Sequence, residues 1–173
     1  MQKKYFWMLL SIILFLTGGV ADSCKVSYSF TGANISPEVK TFSVYYFPNR
    51  ARLVNPSLSQ LFTEALREKL QRQTSLNEMA ENGDLIFEGQ ITGYDVRPMS
   101  IQKEDMAALN RLTVTVNVKY TNIKDTEQNV ERSFSAFEDF DSTSSLSDVE
   151  DGLVPEIINK LTEDIFNATL ANW

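Results

Sequence analysis

The chain has 173 residues and a net charge of −7, and it contains no histidine and a single cysteine. A chain without histidine has no Ser-His-Asp triad and no histidine-ligated metal, and one cysteine cannot build a thiolate zinc site. The acidic balance argues against nucleic acid as a partner. An enzyme of this composition would depend on carboxylates or lysine alone, and we expect neither catalysis nor a cofactor.

The first 23 residues are typical of a secretory signal. Lys3 and Lys4 form a basic start, residues 5–16 are almost wholly apolar, and small residues precede Cys24. A cysteine at this position predicts lipoprotein processing, in which the thiol receives diacylglycerol and the signal is cleaved. We expect residues 1–23 to be a cleaved signal peptide and residues 24–40 to form the lipidated N-terminus and tether.

Two alternatives to lipidation at Cys24 remain. The chain could be secreted with a free thiol, which is a liability in an exported protein. It could also keep the apolar segment as an uncleaved anchor, although this segment is shorter than the about 20 residues that a membrane span needs.

Residues 41–173 are predicted to form one domain that begins with a strand and a helix. Residues 41–47 alternate between apolar and mixed side chains, which is typical of a strand. Asn55 as N-cap and Pro56 at the first helical position then begin a helix. One apolar stripe at helical spacing follows, comprising Leu58, Leu61, Phe62, Ala65, Leu66 and Leu70.

The second predicted strand extends from Leu85 to Val96. One of its faces carries Phe87, Gly89, Ile91 and Gly93, and the two glycines are expected to let a helix approach closely. Arg97-Pro98 is expected to interrupt the strand, and residues 99–108 are expected to form a protruding loop.

The third and fourth strands form a predicted hairpin. From Arg111 to Asn122, apolar and polar residues alternate strictly, which indicates a sheet with one buried and one polar face. The return strand begins near Val130, and Phe137 and Phe140 break its alternation, which indicates a bulge.

The last predicted element is a helix that ends near Trp173. Ser147 as N-cap and Glu150 three residues later fit a capping box. Pro155 lies inside the helical pattern and is expected to kink the helix or shorten its first turn.

These elements follow one another as β-α-β-β-β-α. A sheet with one polar face and two amphipathic helices is typical of an α+β two-layer sandwich. We therefore predict a four-stranded mixed sheet with both helices on one face.

This element order behind a lipidation signal resembles the LptE family of lipopolysaccharide-assembly lipoproteins in its Bacteroidetes-type form. The likeness covers nearly all of the chain after the signal. The residues that carry it are the runs 41–51, 53–60, 62–66, 87–94, 108–118, 147–151, 161–167 and 171–173.

The resemblance implies a non-enzymatic lipoprotein anchored in the outer membrane and facing the periplasm or a barrel lumen. Members of the family plug the outer-membrane β-barrel LptD and help it assemble for lipopolysaccharide transport to the cell surface. The expected partners are therefore LptD, lipopolysaccharide and the membrane that holds the lipid anchor.

Two groups of residues are candidates for these contacts. The polar face of the third strand suits a wet barrel lumen, and lipopolysaccharide, being anionic, needs local cations. The candidate barrel-facing residues are Thr113, Thr115, Asn117, Thr121, Arg50 and Arg52. The candidate lipopolysaccharide-binding residues are Arg97, Lys103, Arg111, Lys119 and Lys124.

For each group a simpler interpretation stays open: the polar face could meet water, and the cations could be scattered solubilising charge. The acidic run 138–151 lacks the spacing of a calcium loop. The competing functions are a generic envelope lipoprotein that binds a soluble ligand or protein partner, and a hydrolase that uses carboxylates alone.

Overall fold

A computed structural model describes residues 35–53, 55–99 and 108–171. The predicted signal peptide, the predicted lipid-attachment residue Cys24 and the candidate cation Lys103 lie outside these residues. The described residues form five strands and two α-helices. Their bounds are β1 Thr41–Val44, α1 Leu58–Gln73, β2 Asn77–Glu78, β3 Leu85–Met99, β4 Leu109–Asn122, β5 Val130–Asp141 and α2 Leu146–Thr169.

The strands form one mixed sheet in the order β2-β1-β3-β4-β5. β1 is parallel to both of its neighbours, whereas β3, β4 and β5 form an antiparallel meander. The predicted α+β class is confirmed, but the predicted count of four strands is wrong. The additional strand, β2, has only two residues and both are exposed, so it carries no hydrophobic pattern that a sequence analysis could detect.

The two helices contact each other and pack with the inner face of the sheet around one apolar core. The alternation predicted for β4 is confirmed, because its even-numbered residues from Leu112 to Tyr120 are all buried. The stripe predicted for α1 is also buried at Leu58, Phe62, Leu66 and Leu70, whereas Ala65 is partly buried and Leu61 is 44% exposed. The largest completely buried side chains include Phe42, Phe47, Phe62, Phe87 and Tyr120.

β3 departs from its predicted alternation at a bulge. The register with β4 shifts between Ile91 and Gly93, so Gly93 lies against Thr115 on the outer face rather than in the core. Gly89 does admit a close neighbour, but this neighbour is the ring of Phe47 and not a helix. A Cβ on Gly89 would lie 2.0 Å from the carbonyl oxygen of Asn117.

The predicted end of β3 at Arg97-Pro98 is wrong, because the strand continues to Met99. Pro98 pairs with Asn110 of β4, and β1 has ended before this point. The proline therefore lies where β3 has a neighbour on one side only, a position that tolerates a missing N–H.

The bulge predicted in β5 is also wrong. Its register with β4 is continuous from Val130 to Asp141. Phe134, Ala136 and Phe140 are buried on the inner face, while Phe137 lies on the outer face and is 44% exposed. Phe137 interrupts the alternation of apolar and polar residues because it is an aromatic residue on the exposed face, and the strand itself is regular at this point.

Neither helix begins at its predicted N-cap. α1 begins at Leu58 with Ser57 as N-cap, so the prediction of Asn55 as N-cap and Pro56 as the first helical residue is wrong by two positions. The Asn55 side chain still accepts hydrogen bonds from the backbone N–H groups of Ser57 and Leu58. The capping box in α2 is wrong. Its N-cap is Ser145, which makes no side-chain cap, and Glu150 instead accepts a hydrogen bond from Asn55.

α2 continues through Pro155, so the proline does not shorten the helix. Neither helix within the described residues is long and apolar enough to cross a membrane.

Candidate functional site

The outer sheet face comprises the side chains of β3, β4 and β5 that point away from the helices. Because side chains alternate along a strand, every second residue of each strand contributes to it. Its members are Glu88, Gln90, Thr92, Asp95 and Arg97 of β3, Arg111, Thr113, Thr115, Asn117, Lys119 and Thr121 of β4, and Glu131, Ser133, Ser135, Phe137 and Asp139 of β5.

The centre of the outer sheet face is polar and uncharged. Asn117 lies between Gln90 and Ser133, and Thr115 lies between Gly93 and Ser135. The hydroxyls of Thr115 and Ser135 are 2.8 Å apart and share a hydrogen bond. The centre therefore offers amide and hydroxyl groups that can exchange hydrogen bonds with water or with another polar surface.

One end of this face is an ion pair between neighbouring strands. The Lys119 ammonium lies 2.6 Å from the carboxylate of Glu88, and Glu131 is its register partner on β5. The hydrogen bond to Glu88 raises the pKa of Lys119. Lys119 is thus surrounded by acidic groups and has less charge available for an anionic ligand than the sequence suggests.

The opposite end holds an arginine pair and an exposed aromatic ring. Arg111 donates two hydrogen bonds to Asp139, at 2.7 and 2.9 Å, and its guanidinium lies 3.6 Å from the centroid of the Phe137 ring. The bond from Arg111 lowers the pKa of Asp139. Arg97 lies opposite Arg111 in the register and has no ion pair within the described residues.

The remaining candidates are separated from this cluster. Lys124 lies in the β4–β5 connection, where its ammonium is 3.3 Å from the carboxylate of Asp84. Arg50 and Arg52 are exposed in the connection after β1, where the backbone N–H of Arg50 bonds to the carbonyl of Ile91. Of the predicted cations that lie within the described residues, the fold therefore brings together only Arg97 and Arg111.

The strands beside β4 also contribute residues to the outer sheet face that the sequence patterns did not single out. Ser133, Ser135 and Phe137 lie on the outer sheet face next to the predicted β4 residues, as does Gln90 of β3. Phe134 and Ala136 alternate with Ser133 and Ser135 along β5, so recognising the two apolar residues as buried would have assigned the two serines to the outer sheet face. Phe137 could not be assigned in this way, because an aromatic residue normally indicates the buried face.

This arrangement is suited to non-covalent recognition. The described residues contain no cluster of three or more histidine, cysteine or acidic side chains that could hold a metal ion. The charged groups on the outer sheet face bond mainly to each other, and the polar groups between them are small.

A family model described as lipopolysaccharide-assembly, LptE, matches residues 39–169. No curated protein shows significant sequence similarity to the chain. Among solved structures, a hypothetical protein from Chlamydia trachomatis is 10% identical with a TM-score of 0.54, covering 78% of this chain and 99% of its own. At this identity the likeness is one of fold.

Two lipoproteins superpose less well. A minor lipoprotein from Acinetobacter baumannii has a TM-score of 0.49 at 14% identity, covering 74% of this chain and 90% of its own. Rare lipoprotein B from Shewanella oneidensis has a TM-score of 0.48 at 12% identity, covering 75% of this chain and 92% of its own.

Proposed function

The chain belongs to the LptE family of lipopolysaccharide-assembly proteins, and on this premise we propose that it is a non-enzymatic outer-membrane lipoprotein that plugs the LptD β-barrel. In this function it helps the barrel to assemble and to pass lipopolysaccharide to the cell surface. Lipidation at Cys24 anchors the protein beside its partner, because several acyl chains together give stable membrane attachment.

The observation that carries this proposal is the outer sheet face. It is three strands wide, and the helices cover only the opposite face of the sheet. Its centre is polar and uncharged around Thr115, Asn117 and Ser135. The lumen of a large outer-membrane barrel is polar and wet, so such a face can fill it without a dry apolar interface.

The arginine end of the face is the proposed contact for lipopolysaccharide. Arg97 lies opposite Arg111 on the adjacent strand and makes no ion pair within the described residues, whereas Arg111 is bonded to Asp139. A phosphate at this end can accept bidentate bonds from the guanidinium of Arg97. The Phe137 ring beside Arg111 adds exposed apolar surface next to the cations.

Site-specific photo-crosslinking in intact envelopes tests the barrel contact. A photoreactive residue at Asn117, in the centre of the outer sheet face, is expected to crosslink to one large β-barrel protein. The matched position Gln60 is exposed on α1, on the other side of the sheet, and is expected to give no such product.

Two results would contradict the proposal. Crosslinking from Gln60 but not from Asn117 would assign the barrel contact to the helices. Recovery of the membrane-bound protein without any barrel partner in a mild-detergent pull-down would leave an envelope lipoprotein that binds a soluble ligand or another protein.

A further inference from the structure

β5 is the last strand of the sheet, and one of its edges has no strand partner within the described residues. The edge is long, because β5 has 12 residues. The ammonium of Lys160 on α2 donates to the carbonyl of Phe137 over 3.3 Å, which shows that this carbonyl points away from β4. Since backbone groups alternate in direction along an antiparallel strand, Ser133 and Ser135 also direct theirs to the free edge.

A groove of about 400 Å³ lies between this edge and α2. Ser135 and Phe137 line it from the strand, and Asn159, Lys160 and Asp164 line it from the helix. Peptide-recognition domains bind extended segments in such a place, where the strand edge supplies backbone hydrogen bonds and the helix meets alternate side chains.

The two elements that border the groove are net acidic, which favours a basic segment. β5 carries four acidic residues and one basic residue, and α2 carries six acidic residues and one basic residue. The groove itself is lined by Glu163, Asp164 and Lys160. Asp164 in the groove has no ion pair within the described residues. The same charges disfavour a second copy of the chain, because it would bring two net-acidic β5 strands and two net-acidic α2 helices together.

We propose that the free edge of β5 and the adjacent face of α2 form a binding site for an extended, net-basic peptide segment of another protein, which adds to the sheet as a sixth strand. This site uses the backbone edge of β5, whereas the proposed barrel contact uses side chains of the outer sheet face, which the edge adjoins at Ser133, Ser135 and Phe137. Its test is peptide binding and does not depend on the barrel function. The segment bonds to the backbone of Ser133, Ser135 and Phe137, and its basic side chains lie over α2.

Lys160 occupies the edge when no segment is bound. Its ammonium bonds to the Phe137 carbonyl and lies 2.5 Å from the carboxylate of Glu138. A charged side chain directed at a free strand edge is one way that proteins prevent uncontrolled pairing. The incoming backbone N–H replaces the ammonium at Phe137, and Lys160 keeps its ion pair with Glu138.

Peptide binding to the full-length protein in detergent micelles tests the site. The probe is an acetylated heptapeptide, Lys-Val-Lys-Val-Arg-Val-Lys, and its binding is measured by fluorescence polarisation. Two matched peptides serve as controls. In the first, glutamate replaces the basic residues, and in the second, N-methyl groups block the amides that would face β5. We expect each matched peptide to bind at least about tenfold more weakly, since backbone pairing and charge both contribute.

Hydrogen exchange locates the bound peptide without changing the protein. The amides of Ser133, Ser135 and Phe137 are expected to exchange rapidly in the free protein and slowly in the complex. Asp164→Lys is expected to weaken binding of the basic peptide by about fivefold or more, through charge repulsion. The control Asp151→Lys, on an exposed part of α2 outside the groove, is expected to leave binding unchanged.

Three outcomes would overturn the inference. Equal binding of the N-methylated peptide would mean that the attraction is electrostatic and involves no strand pairing. Slow exchange of the three amides in the free protein would mean that the edge is already paired. Concentration-dependent dimerisation that protects these amides would assign the edge to a second copy of the chain.

Discussion

The hydroxyl of Tyr94 donates a hydrogen bond to the carboxylate of Glu150, 56 residues further along the chain. The bond connects the centre of β3 to the first turns of α2. Asn55, whose side chain also accepts a hydrogen bond from the backbone of Leu58 at the start of α1, donates to the same carboxylate over 2.8 Å. Burial of the phenol and the adjacent carboxylate raise the pKa of Tyr94. A single carboxylate thus connects the sheet to the beginnings of both helices.

Replacing Tyr94 by phenylalanine is expected to lower the free energy of unfolding by about 1.5 kcal/mol. The aromatic ring stays in the core, but a hydrogen bond to a charged acceptor is lost. Denaturation in urea measures the effect. Tyr46→Phe is the matched control, because Tyr46 is 61% exposed, and it is expected to change stability by no more than about 0.5 kcal/mol. Equal effects of the two substitutions would mean that the bond to Glu150 contributes nothing.

Asp84 is expected to make the stability of the protein pH-dependent at the acidic end. Its carboxylate accepts bonds from the backbone of Lys40 and Thr41, which hold its pKa at about 2. Because this pKa is lower in the folded than in the unfolded state, the stabilisation is complete above about pH 4. It is lost as the pH falls toward 2, and because solvent screens the carboxylate its full size is at most about 2 kcal/mol.

Asp84→Asn is expected to remove most of this dependence, and the denaturation midpoint measured from pH 5 to pH 2 tests it. Glu81→Gln changes an exposed acidic residue in the same connection and is expected to keep the wild-type profile. If Asp84→Asn and the wild type lose stability in parallel on acidification, the carboxylate of Asp84 is not the responsible group.

Two glycine-to-alanine substitutions are expected to change stability in opposite directions. A Cβ on Gly89 meets the carbonyl oxygen of Asn117 and the ring of Phe47, at 2.0 and 2.8 Å, so the substitution is expected to cost about 3 kcal/mol or more. Gly152 lies exposed in α2 with no atom within 4 Å of such a Cβ. Alanine there is expected to add up to about 1 kcal/mol. Thermal unfolding of both variants provides the comparison, and a stable Gly89→Ala variant would show that the strands can separate at this point.

Pro155→Ala is expected to stabilise the protein by about 1–3 kcal/mol. Proline in a helix interior removes one backbone hydrogen bond, and Pro155 is exposed, so little packing is lost with its ring. Chemical denaturation of the variant measures the change. A neutral or destabilising result would indicate that the helix pair is adapted to the geometry that the proline imposes.

Asn117→Arg is expected to reduce recovery of the barrel partner at least about fivefold, because it places a long charged side chain in the uncharged centre of the outer sheet face. The readout is the ratio of barrel to lipoprotein after a mild-detergent pull-down. Gln60→Arg makes the same change on the helix side and is expected to leave the ratio unchanged. Loss of partner in both variants would indicate a general effect of charge.

Local patterns predicted most of the fold. The alternation in β4 and the apolar stripes of the helices determine which side chains are buried, and each depends only on residues a few positions apart. The errors concern features that depend on distant residues. Gly93 faces outward because of a bulge in the pairing of β3 with β4. Glu150 does not form the predicted capping box because its carboxylate accepts hydrogen bonds from Tyr94 and Asn55 instead.

The partners of the candidate cations also depend on distant residues. Lys119, Lys124 and Arg111 each bond to a carboxylate that is distant in sequence, namely Glu88, Asp84 and Asp139. The pairing register of the strands determines which of these charges meet, and the positions of charged residues in the sequence do not reveal that register. The juxtaposition of Arg97 and Arg111 likewise depends on the antiparallel pairing of β3 with β4.

The position of β1 has a consequence for how the chain folds during synthesis. Phe42 pairs with Glu78 on one side and with Leu85 on the other, so neither neighbour exists until about forty further residues have been made. The meander from β3 to β5, by contrast, pairs residues that follow one another closely, and such local contacts form fast. The first strand therefore lacks both of its neighbours early in synthesis, and we expect it to join the sheet more slowly than the meander forms.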